Sequence, residues 1–182
     1  MTVKEVVMLA AAELDITTDV AGYFDGTEDA GKVKAERLLA CFNLVENELA
    51  LDYFPLSRTE ILVSTGTILF SQFKNAPVNI ISVKNSDGVD LEYTLSPDRI
   101  MTGKGTIRVT YTFTPNTKTI DDVCDFSLEV SARLMSYGIS AEYSLATGAL
   151  EEAALWDKKY KDAIALLYKR EKGGRITSRR WV

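Results

Sequence analysis

Thr106-Ile107-Arg108-Val109-Thr110-Tyr111-Thr112-Phe113 decides the fold class, because apolar and polar residues alternate through it without a break. Successive side chains of a strand point to opposite faces. Ile107, Val109, Tyr111 and Phe113 therefore make an apolar face, and Arg108, Thr110 and Thr112 a wet one. Upstream, Glu60–Ser64, Thr67–Phe73, Val78–Lys84 and Val89–Leu95 are short runs with the β-branched and aromatic residues that suit a pleated surface. Ser86-Asp87-Gly88 and Gly103-Lys104-Gly105 supply turn chemistry between runs. The middle of the chain thus predicts a small antiparallel sheet of four or five strands.

On both sides of this sheet the period changes to that of a helix. Thr2 and Glu5 form a capping box, so a first helix starts at Val3, with Val3, Val7, Ala10 and Leu14 on one face. Asp15–Asp29 is polar, holds Gly22 and Gly26, and reads as a loop. A second helix runs from about Ala30 to Asp52, with Ala35, Leu38, Phe42, Val45 and Leu49 in one stripe, and Pro55 ends it. After Pro115, Thr119 and Asp122 read as an N-cap pair. They open a stripe through Val123, Phe126, Val130, Leu134, Tyr137, Ala141 and Leu145, interrupted by Gly138. Thr147-Gly148 breaks it. The last helix, about Ala149–Lys172, has acids in its first turn (Glu151, Glu152) and bases in its last (Lys169, Arg170, Lys172), matching the helix dipole. Asp157 and Lys161 are spaced to pair across one turn.

The expected fold is α+β: a four-helix bundle-like core of two helical hairpins, with an inserted small antiparallel β-sheet and an extended C-terminal tail. The expected boundaries are an N-terminal helical hairpin over 1–56, a β-rich subdomain over 57–116, a helical pair over 117–172 and a basic docking tail over 173–182.

Composition narrows the chemistry. The 182 residues are 46% hydrophobic and 26% charged, which suits a chain that folds around a core. No apolar run approaches the roughly 18 residues a bilayer crossing needs, and the first residues read as an amphipathic helix, not a signal peptide, so synthesis and residence in the cytosol are expected. Histidine is absent, which excludes His-containing triads and His-based zinc sites. Cys41 and Cys124 lie far apart without a CxxC pair and read as buried thiols. Gly26-Thr27-Glu28-Asp29-Ala30-Gly31-Lys32-Val33 nearly matches a phosphate-binding loop. Val33 replaces the required hydroxyl, and two acids would repel phosphate, so a surface loop opening a helix is the better account. Asp121, Asp122 and Asp125 read as helix-end acids, and Glu46 and Glu48 as a solvated face. Trp156 and Tyr160 fall on the apolar stripe of the last helix, where packing is favoured over a platform for bases. No catalytic, cofactor or metal residues are assigned, and an enzyme is not expected.

Charge is divided unevenly. Residues 169–182 hold six Lys/Arg and one Glu, a net +5, so the overall −5 leaves −10 on residues 1–168. Gly173-Gly174 detaches a tail that finishes in Arg179-Arg180-Trp181-Val182, residue types that dominate binding hot spots. Arg175, Ile176, Arg179, Arg180, Trp181 and Val182 are the expected partner-binding residues.

The chain resembles the head-to-tail adaptor (connector, or head-completion) proteins of tailed bacteriophages. The resemblance rests on the Thr2–Leu14 helix, the long second helix, the β-rich insertion before two more helices, and the ending. That ending runs from Trp156-Asp157-Lys158-Lys159-Tyr160 through Gly173-Gly174-Arg175 to Arg179-Arg180-Trp181-Val182. It spans the chain in architecture, but in motif only the last thirty or so residues. The resemblance implies a structural virion protein at the neck, made in the host cytoplasm. It implies a homo-oligomeric ring, commonly of twelve copies, joining the portal protein to tail proteins, with DNA passing through unbound, no membrane and no cofactor. The β-rich insertion departs from the smallest, all-helical adaptors. Another oligomeric phage tail-completion or scaffold protein, or a nucleic-acid-binding module using the basic tail, are the alternatives.

Overall fold

A computed structural model describes residues 1–27, 29–126 and 130–171. Among them are five helices and a four-stranded antiparallel sheet, about 48% helix and 27% strand. The sheet is a large part of the molecule, so the expected helical bundle with a small insert is wrong. The chain forms two compact units: Met1–Val45 with the chain from Lys118 onward, and Glu46–Thr117.

In the helical unit, α1 (Val3–Glu13) carries the expected capping box. Thr2 Oγ1 accepts from Glu5 N at 3.2 Å, and Glu5 Oε2 accepts from Thr2 N at 2.7 Å. The segment expected as a loop contains α2 (Thr17–Phe24), with Val20 buried. Next comes α3 (Lys32–Glu48), which passes into a π-helical turn over Leu49–Tyr53 just before Pro55. The expected first hairpin does not form, because α1 packs on α4 (Ala132–Thr147) instead. Ser136 and Ser140 of α4 donate to the Glu13 carboxylate at 3.1 and 3.2 Å. Burial raises the Glu13 pKa despite both hydroxyl donors.

The helix expected from Thr119 does not start there. Asp122 instead accepts from Thr119 N and Oγ1 at 2.7 and 2.8 Å, closing a turn. Val3 N donates to the Asp122 carbonyl at 3.0 Å, and Thr2 forms a β-bridge with Val123. These backbone groups are committed to the N-terminal segment and are lost to a helix, and the next helix among the described residues is α4, from Ala132. There Ser131 Oγ accepts from Leu134 N at 3.2 Å as the N-cap of α4. Asn43 of α3 fixes the returning chain: its Nδ2 donates to the Lys118 carbonyl at 3.1 Å and its Oδ1 accepts from Lys118 N at 2.6 Å.

Gly148, at φ +83°, ends α4 in the left-handed conformation, and α5 (Leu150–Glu171) folds back along α4. The Asp157–Lys161 pair forms as expected, at 2.7 Å. Gly138 also finds its reason here, since a Cβ on it would lie 2.9 Å from Val45 Cγ1 and 3.0 Å from Tyr160 Cε2. The helix accepts the propensity loss of about 1 kcal/mol in exchange for that close approach.

In the second unit the expected Glu60–Ser64 and the start of Thr67–Phe73 fall in one long strand, Thr106–Phe113 is the end of another, Val78–Lys84 forms as a strand of its own, and Val89–Leu95 is strand only at its end. Strand β1 (Leu56–Leu69) pairs along β4 (Arg99–Phe113); β2 (Pro77–Asn85) and the short β3 (Thr94–Ser96) pair with β4 as well. Gly103-Lys104-Gly105, expected as a turn, lies inside β4. Opposite it, the β1 register shifts between Thr65 and Thr67, with Gly66 at φ +112° and Gly105 at φ +123°. A bulge with such glycines bends a ribbon without ending it. Ile68 and Ile100, beyond the bend, share one core with Ile80, Val83, Ile107, Tyr111 and Phe113, so the ribbon folds over its own inner face. All four inward residues expected of Thr106–Phe113 are buried. The Ser86-Asp87-Gly88 turn forms too: Asn85 Oδ1 accepts from Asp87 N and Val89 N, both at 2.9 Å.

Candidate docking surfaces

The α4–α5 hairpin buries one side of α5 through Ala153, Tyr160 and Ile164. Trp156, expected to be packed like Tyr160, is only half-buried. Its indole stacks on Tyr137 of α4, with ring centroids 5.8 Å apart and planes 28° apart. Two cations frame the stack. Lys159 Nζ sits 3.8 Å from the Trp156 ring centroid, and Arg133 Nε donates to Tyr137 Oη at 2.7 Å. Helix geometry assembles the set, since Arg133 precedes Tyr137 by four residues and Lys159 follows Trp156 by three.

Toward the open end of the hairpin, a groove of about 270 Å³ runs between the helices, lined by Ser131, Arg133, Leu134, Tyr137, Ala163, Leu166 and Leu167. Leu166 is 65% exposed and Leu155, on the same flank of α5, is 64% exposed.

A second apolar surface is the outer sheet face. Ile61 and Val63 of β1 are 64% and 72% exposed, opposite Arg108 and Thr106 of β4. Beside them the Thr59 and Thr110 hydroxyls lie 2.9 Å apart. Strand β1 borders only β4, so it forms one edge of the sheet.

Neither a known family model nor a curated protein matches this chain.

The expected partner-binding residues Arg175, Ile176, Arg179, Arg180, Trp181 and Val182 lie outside the described residues. The Arg133–Tyr137–Trp156–Lys159 cluster escaped the sequence reading. The i,i+4 and i,i+3 spacings were visible, but nothing in the sequence brought the two helix faces together.

The remaining candidates have structural partners. Gly26 follows a helix, not the strand a phosphate cradle needs, and Lys32 pairs with Glu36 at 3.9 Å. Asp122 holds its turn, which keeps its carboxyl below the usual range, and Asp125 pairs with Lys118 at 2.8 Å. Neither is at a helix end as expected. Glu46, expected on a solvated face, is buried, because it falls one turn after Phe42 on the inner face of α3. Among the described residues no three His, Cys, Asp or Glu group as a metal site, and no helix is long and apolar enough to cross a membrane.

Cys41 and Cys124 are buried and unbridged, as expected. Burial, then Glu142, pushes the Cys41 thiol up to about 11, away from the reactive thiolate. The native protein is therefore expected to leave both thiols unreacted toward Ellman's reagent at pH 8, and to release two equivalents per chain in denaturant. Rapid native labelling would contradict this packing.

Proposed function

We propose that this chain is a structural assembly subunit, a head-to-tail adaptor that forms a ring between a portal and tail proteins and acts through contacts, not catalysis. The observation that carries the reading is the apolar surface exposed on both units: Ile61 and Val63 on the sheet, Leu155 and Leu166 on α5. Clustered large apolar side chains at a surface mark interaction sites. A ring needs two different patches on each copy that meet head to tail, and the two units offer two such patches.

Charge supports the same reading. A body at −10 repels DNA phosphates and lets a duplex pass without capture, while the +5 of residues 169–182 suits an acidic partner. In this proposal residues 173–182 dock on the portal, with Arg175, Arg179 and Arg180 meeting carboxylates and Trp181 filling a pocket. Repetition round a ring multiplies weak single contacts.

The test is direct. Negative-stain images of the protein mixed with a candidate portal are expected to show rings. Deleting residues 173–182 is expected to abolish portal association and leave the circular dichroism spectrum unchanged. Unchanged association after the deletion overturns the tail's role. Tight DNA binding that weakens steeply with salt and is lost with the same deletion would replace the adaptor by a nucleic-acid module.

A further inference from the structure

Lys4, Lys34, Arg99, Lys118 and Lys161 each have an acidic side chain within 2.8 Å. Arg133 and Lys159 make no such pair among the described residues. Their contacts are the rings of Tyr137 and Trp156, and the Tyr137 hydroxyl. Glu13 is the acid that feels both, and its carboxylate is turned to Ser136 and Ser140. On a body whose net charge is −10, two cations held in place beside an apolar groove are a local reversal of sign.

We propose that the α4–α5 groove is a docking site for an acidic, apolar peptide segment of a partner protein. Its apolar side chains would lie on Leu134, Ala163, Leu166 and Leu167, and its carboxylates would meet Arg133 and Lys159. Charge complementarity selects the acidic partner. The basic residues 169–182 would be repelled by the same two cations, which argues against a second copy's tail as occupant. A nucleic acid fits less well. Two cations are few for tracking a phosphate backbone, the groove is lined largely by aliphatic side chains, and the Trp156 ring a base would stack on is already engaged by Tyr137 and Lys159. Stacked rings and cation–π contacts hold both cations in place, which lowers the entropy lost on binding. The proposal stands whether or not the chain is a neck adaptor.

The experiment uses the full chain and fluorescence anisotropy with two labelled amphipathic helical peptides, one of Leu, Ala and Glu, the other with Lys in place of Glu. The acidic peptide is expected to bind and the basic one not. Leu166→Glu, at an exposed position that leaves the core alone, is expected to weaken binding by at least about tenfold. The double variant Arg133→Glu, Lys159→Glu is expected to reverse the preference toward the Lys peptide, a gain that mere misfolding would not produce. Equal binding of the two peptides, or of neither, overturns the proposal. So does competition by a single-stranded oligonucleotide at these residues. Self-association that Leu166→Glu abolishes would give the groove to a second copy, and tighter peptide binding after deletion of residues 172–182 would give it to the chain's own end; either result also overturns it.

Discussion

Replacing Gly31 with Ala is expected to destabilise the protein by about 3 kcal/mol, the upper end of the usual cost of overpacking. A Cβ at this position would lie 1.8 Å from the Asp19 carbonyl oxygen and 2.5 Å from its carbon. Those are backbone atoms of α2, so no side-chain rotation relieves the clash. Either α2 or the start of α3 must move, and the Lys34–Asp19 and Lys4–Asp25 ion pairs sit at the ends of that same helix. Both pairs are exposed and hold little energy of their own. Chemical denaturation of the wild type and the variant measures the effect. A loss below about 1 kcal/mol would mean that the corner yields freely, since surface substitutions without such a clash stay within about 0.5 kcal/mol.

Tyr111→Ala is expected to cost about 3–5 kcal/mol, as truncation of a fully buried aromatic does. Its ring meets Phe73 edge-on at 4.9 Å and Phe113 at 6.3 Å, and its hydroxyl donates to Glu60 Oε1. Glu60 also accepts from Lys74 N at 3.2 and 3.3 Å, which fixes the loop after β1 on the inner sheet face. Tyr111→Phe keeps the rings and removes only the hydroxyl, so about 1–3 kcal/mol is expected from it. Burial first, then the Glu60 hydrogen bond, pushes the Tyr111 phenol up to about 12. The unfolded phenol ionises near pH 10. Between these values the native state holds a proton the unfolded chain has lost, so this contribution is whole below pH 10 and falls away as pH rises toward 12. Alkaline unfolding curves are expected to show that decline in the wild type and a weaker one in Tyr111→Phe. Parallel curves would detach the phenol from the effect.

The outcome of the sequence reading follows the range of the forces involved. Thr2 with Glu5 and Asp157 with Lys161 are contacts within one helical turn, and each formed as read. The alternation of Thr106–Phe113 was equally local, and its inward residues are buried. Failure came where distant chain decided the matter. Val123 and Phe126 fit a helical stripe, yet their segment exchanges backbone hydrogen bonds with Met1 and Val3, more than a hundred residues away. Gly66, Gly103 and Gly105 carry turn chemistry, and only the pairing of β1 with β4 turns them into a bend. Gly31 reads as part of a surface loop opening a helix, and its further role, absent bulk against Asp19, has no signature in one dimension. For the surfaces the position is similar. Trp156 was visible, but its company of Tyr137, Arg133 and Lys159 required the α4–α5 pairing.

The amide of Asn43 clasps the main chain of Lys118 from both sides. Because the strand of chain leaving at Val45 and the one coming back at Lys118 are thereby held as neighbours, everything from 46 to 117 behaves as a cassette. Chain ends that lie together tolerate insertion and exchange, and a loop of about five residues would span such a gap. Replacing 46–117 by such a loop is therefore expected to leave the Asn43–Lys118 clasp in place.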